Sequence, residues 1–308
     1  MSISPFSLLL KSIVSLAILP GLAMADPYGH REKDSEWEKV TVIQAENATG
    51  PNKILDKPIR NHGLVYGWPM GTLGFSELGV YNPDGNEPKP LTSETDPDAV
   101  LSTFLDPNFV AAIGFDPSDI DPSFINVPLQ KVKTLYEARD VSGVPMVGRD
   151  SLPGMFDAKP FAPVIAAPTK PITLEDWLKA RGRAVIKCAA DGTSTVDIKM
   201  KHLVPNRLYT VWSANVNAKI GPFNQPVGGA PSAFTSDERG NGRFKRRLSY
   251  CPLMPVEDVQ TQMLWMMVLL HTDHMAYGGV FAPNRDSLFG GTVAHVQLHI
   301  PLTGERVN

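Results

Sequence analysis

The sequence predicts a mainly β protein: an antiparallel β-sandwich or jelly-roll-like C-terminal domain, preceded by an irregular, proline-rich N-terminal segment. Three observations predict it. Residues 51–171 hold 17 of the 28 prolines, and residues 172–308 hold only eight. Beyond Gly182, short apolar or alternating runs recur with turn residues between them, roughly every 8–12 residues. Helical spacing is almost absent from that half. Proline at the density of the first half removes backbone donors and breaks helices and central strands.

The first element is a targeting segment. Lys11 sits in a largely apolar run from Ile3 to Leu22, and Ala23-Met24-Ala25 places small residues at −3 and −1 of a cleavage site. Pro5, Lys11 and Pro20 interrupt the run, which is too short and broken for a spanning helix. Residues 1–25 therefore read as a signal peptide, with Asp26 as the new first residue and a secreted or periplasmic destination.

Residues 26–170 form the proline-rich region. Val40–Ala45 can make one strand, and Asp-Pro pairs at Asp96, Asp106, Asp116 and Asp121 initiate turns. Asn47-Ala48-Thr49 fits a glycosylation sequon if the host is eukaryotic. Ala158–Pro171 carries four prolines and is the best linker candidate.

Residues 171–308 form the sandwich domain. Thr173 followed by Asp176 is a cap signature for two helical turns ending at Gly182. Arg183–Cys188 is a strand, Asp191-Gly192 a turn, and Ser194–Met200 an alternating strand. Leu208–Ala214 follows. Ala233–Thr235, a turn from Asp237 to Gly242, and Arg243–Leu248 read as a hairpin. Met263–His271 is continuously apolar, as in a strand buried on both faces, with a buried helix as the alternative. Thr292–Leu302 is the last strand.

The chain has two cysteines, Cys188 and Cys251, and export makes a bridge between them the default, joining the stacked sheets. Four of the seven histidines come late. His271, Asp273 and His274 lie at a turn, and His295 and His299 are four apart on one strand, sharing a face. One of that pair with the turn residues would supply a zinc or copper set. No His-x-His, Cys-x-x-Cys or His-Glu-x-x-His occurs, so the set has no supporting motif.

Gly-x-Ser-x-Gly and phosphate-binding glycine loops are also missing, which leaves a secreted hydrolase as the weakest reading. The net charge of −3 gives no footprint for nucleic acid, and no apolar run after the signal reaches spanning length. Arg243, Lys245 and Arg247 alternate onto one strand face, either solvated or facing an anionic partner such as a polysaccharide.

The leading expectation is thus a non-catalytic binding or surface-interaction protein, using the loop from His271 to Gly291. A zinc or copper protein built on the histidine cluster is the alternative.

Overall fold

Ser194–Lys201, the clearest alternating run, lies inside the first of two stacked sheets. A computed structural model describes residues 37–50, 53–61, 64–65, 77–104, 126–131, 170–217, 219, 221–229, 232–254, 261–271 and 294–302. The expected signal peptide, the 158–169 part of the linker candidate and residues 272–291 of the expected binding loop lie outside these residues.

The described chain is mainly β, and every strand pair is antiparallel. It opens with β1 (Trp37–Gln44) and β2 (Glu46–Asn47). Two small pairs follow: β3 (Lys53–Ile54) with β4 (Lys57–Pro58), and β5 (Arg60–Asn61) with β6 (Leu64–Val65). The strands β7 (Glu77–Val80), β8 (Lys89–Pro90), β9 (Leu101–Phe104) and β10 (Val127–Pro128) make a small sheet of order β10-β9-β7-β8. These are the short elements that dense proline permits.

After a helix at Leu174–Leu178 the sandwich strands run in sequence. They are β11 (Arg181–Ala189), β12 (Ser194–Lys201), β13 (Leu208–Asn217) and β14 (Gly221–Pro226). Then come β15 (Ala233–Thr235), β16 (Gly242–Leu248), β17 (Thr261–His271) and β18 (Ala294–Pro301). The first sheet has the order β1-β11-β12-β16; the second is β14-β13-β17-β18-β2, with β15 also against β13.

Two apolar layers result. Between the sheets, Ile186, Ile198 and Phe244 of the first pack with Tyr209, Val268 and Leu298 of the second. Trp212, Trp265, Met267 and Leu269 point from the second sheet into a separate cluster with Ala48 and Ile59. Burial on both faces explains the unbroken apolar run of β17, which is a strand because β13 and β18 pair along it from either side.

Thr173 caps the helix, its hydroxyl accepting from the Asp176 amide at 3.2 Å, but the helix stops at Leu178 rather than reaching Gly182. Arg181 and Gly182 already belong to the β11 ladder, opposite Lys201 and Met200. The first free helix amides are taken by the proline-rich segment: Leu174 donates to Ala99 O and Glu175 to Pro97 O.

Three other expectations are corrected. The sandwich is not confined to residues 171–308, because β1 extends the first sheet and β2 the second. Only Ala45 separates them, and its amide donates to Gly182 O at 2.8 Å, so the chain steps between layers there. Asn47 Nδ2 donates to Ala180 O at 2.6 Å beside buried Ala48 and Thr49, so the sequon is an internal structural element.

Second, β15 and β16 are not a hairpin. β15 pairs with β13 in the second sheet and β16 with β12 in the first. The turn between them carries the chain across the layers, with Asp237 Oδ1 accepting from the amides of Arg239 and Asn241. Gly240 holds φ 73° there against the Leu203 backbone, where a Cβ would collide.

Third, Cys188 and Cys251 do sit at disulfide distance, with Cα atoms 5.5 Å apart, but they do not join the two sheets. Cys188 is in β11 and Cys251 lies three residues past β16, so the link spans β12 within the first sheet.

Candidate functional site

The described histidines of the expected metal set are all buried, and they do not converge. His271 closes β17, its Nε2 2.6 Å from Thr210 Oγ1. That oxygen also accepts the Trp212 indole proton, at 3.1 Å. The chain Trp212–Thr210–His271 satisfies polar atoms inside an apolar layer.

His295 pairs with Leu270 and faces the layer between the sheets, whereas His299 pairs with Met267 and faces the tryptophan layer. Four-residue spacing on an unbroken strand would put both on one face. A β-bulge opposite Val268–Leu269 makes Gln297 the extra residue and reverses the faces. His271 and His299 do share a face, but their rows are four residues apart, roughly 13 Å. Asp273 and His274 lie outside the described residues, and among those described no group of three or more His, Cys, Asp or Glu is placed to hold a metal.

His299 lies against the Trp265 ring, centroids 5.4 Å apart, and neither of its nitrogens makes a hydrogen bond. Its Nδ1 is 3.8 Å from Glu46 Oε2, too long for a hydrogen bond. Proximity to that imidazole holds the Glu46 carboxyl below its ordinary value.

The accessible chemistry lies on the opposite side of the molecule, on the outward face of the first sheet. β16 projects Arg243, Lys245 and Arg247 outward, while Phe244, Arg246 and Leu248 turn in. Register then decides what stands beside them. Lys199 of β12 is opposite Arg243, and Lys201 lies at the strand's end opposite Arg181 of β11. Arg183 is opposite Lys199, and Lys187 opposite Thr195. Eight cations thus share one sheet face.

Among the described side chains of those strands that face outward, Asp197 is the carboxylate. Arg243 grips it with two bonds, Nε to Oδ1 at 2.9 Å and Nη2 to Oδ2 at 2.7 Å. This grip keeps the Asp197 carboxyl below the usual aspartate range. Asp191, in the β11–β12 turn, is a second carboxylate at the rim, near Arg247.

Neighbouring cations stand about 6.6 Å apart along a strand and about 4.8 Å across strands, within a physiological screening length of about 8 Å, so their fields add. On β1 the face changes character. Val40 and Val42 point outward and are each 55% exposed, in register with Lys187 and Val185.

Arg246 shows how the sheet separates its charges. It is buried, donates from Nη2 to Gly229 O at 3.0 Å, and is lowered to about 9 by desolvation. Gly228, at φ 70°, lets it lie there, since a Cβ would come within 2.6 Å of Arg246 Cγ.

Sequence reasoning found the β16 cations from alternation alone. It missed Arg181, Arg183, Lys187, Lys199 and Lys201 as parts of the same feature, because their union depends on register between strands. No family model matches the chain, and no curated protein or solved structure matches it significantly.

Proposed function

We propose that this is an exported, non-catalytic binding protein that docks an anionic partner on the outward face of its first sheet. The observation that carries the reading is the gathering of eight cations around Asp197, the one carboxylate among the described outward side chains of β11, β12 and β16, in a chain whose net charge is −3. The composition holds 32 acidic and 29 basic residues, so an evenly mixed surface would put both signs on this face. Long Lys and Arg side chains on a broad, exposed sheet suit electrostatic capture rather than enclosure of a small substrate. The N-terminal export signal and the cysteine pair support work outside the reducing cytoplasm.

Heparin is a suitable soluble polyanion for the test, with binding followed by calorimetry. Lys199→Gln, Lys201→Gln and Lys245→Gln together remove three charges without setting a new carboxylate beside Asp197. The expected result is salt-sensitive binding by the wild type and at least a tenfold loss in the triple variant. Equal weakening by Lys57→Gln with Lys89→Gln, which lie on the small N-terminal sheets, would contradict the assignment.

A further inference from the structure

We infer that the anionic partner is a bilayer with acidic headgroups, met face-on by the first sheet with the Val40–Val42 edge as its apolar contact. The inference rests on the anionic-partner reading above and narrows it to one source of charge.

Three features of the face favour a membrane over a soluble polymer. Its cations spread over three neighbouring strands, β11, β12 and β16, so they form a patch extended in two dimensions. A planar array of headgroups can engage all of them together, whereas a linear chain follows one row at a time. Second, the cations end at an apolar border. Of the four large apolar side chains exposed among the described residues, Val40 and Val42 sit on this face, next to half-buried Val185. A soluble polyanion gains nothing from them, but the boundary between headgroups and acyl chains does. Third, none of the described outward side chains of β11, β12 and β16 is aromatic, so those three strands offer no stacking platform for bases or sugar rings.

The side-chain lengths fit the same arrangement. Lys and Arg stems extend past the shorter valines, so the charged heads engage phosphates while the valines reach the boundary from the edge strand.

Co-sedimentation with vesicles tests this, using the processed chain from Asp26 so that the apolar run Ile3–Leu22 cannot insert. The vesicles are phosphatidylcholine alone, or phosphatidylcholine with about one-third phosphatidylglycerol. The wild type is expected to bind the anionic vesicles and not the neutral ones. The Lys199→Gln, Lys201→Gln, Lys245→Gln variant should lose roughly a hundredfold in vesicle affinity. Val40→Gln with Val42→Gln should lose vesicle binding several-fold and keep heparin binding unchanged; circular dichroism checks that both variants fold.

Heparin binding without vesicle binding overturns the lipid assignment and leaves the anionic-partner reading standing. Loss of neither ligand in the lysine variant overturns both. Wild-type vesicle affinity in the valine variant overturns the face-on seating, as does equal binding to neutral vesicles.

Discussion

Trp177 donates its indole proton to the carbonyl oxygen of Ala48 at 2.6 Å, across 129 residues of chain. The ring is fully buried, and the Trp177 carbonyl in turn accepts from Gln297 Nε2 at 3.4 Å. One side chain therefore fastens the helix to the segment that follows β2. Trp177→Phe keeps most of the packing but strands the Ala48 oxygen in an apolar setting. It should cost about 1–3 kcal/mol in urea unfolding. A cost within experimental error would mean that the N-terminal strands are not held there.

Tyr209 makes a comparable link through the bulge of β18. Its hydroxyl accepts from the Val204 amide at 2.9 Å and donates to Gln297 Oε1 at 2.7 Å. Burial pushes the phenol well above its ordinary value, so it remains a donor across the accessible pH range. Tyr209→Phe should keep the stacking on Phe234, at 5.4 Å between centroids, and lose about 1–3 kcal/mol from two stranded partners. An unchanged denaturation midpoint would count against this network.

The cysteine pair closes a loop of 63 residues within the first sheet. Chain entropy makes such a closure worth about 4 kcal/mol. Cys188→Ala with Cys251→Ala should lower the unfolding free energy by about that amount. Two unmodified thiols in mass spectra of the folded protein would contradict the link.

Glu46 gives a pH prediction. His299 holds its carboxyl below the ordinary 4.5, so the stabilising share is present above that value and lost as pH falls through the folded-state value. The wild type should therefore lose more stability than Glu46→Gln between about pH 5 and about pH 3. The glutamate side chain is 53% exposed, so solvent screening keeps the difference small. Parallel pH profiles for the two proteins would rule out the coupling.

Local patterning made much of the sandwich legible, and pairing between distant strands supplied the rest. Alternation in Ser194–Met200 and the apolar block before His271 follow from burial, which acts residue by residue along one strand. The separation of β15 from β16 does not, because a short turn of Asp, Gly and Asn serves a hairpin and a sheet-to-sheet crossing equally well. The opposite facing of His295 and His299 depends on one extra residue, Gln297, set by the partner strand. The basic face was visible only as Arg243, Lys245 and Arg247; its other members join through the registers of β11 and β12. The placement of β1 and β2 in different sheets was hidden because Glu46–Asn47 is too short to carry a strand pattern.

The most direct test of the docking face is lysine footprinting by mass spectrometry, with and without anionic vesicles. Acetylation of Lys199, Lys201 and Lys245 should slow several-fold when the vesicles are present, while Lys57, Lys89 and Lys179, exposed elsewhere, should react at unchanged rates. Protection spread evenly over all six, or confined to the last three, would contradict a partner seated on the first sheet.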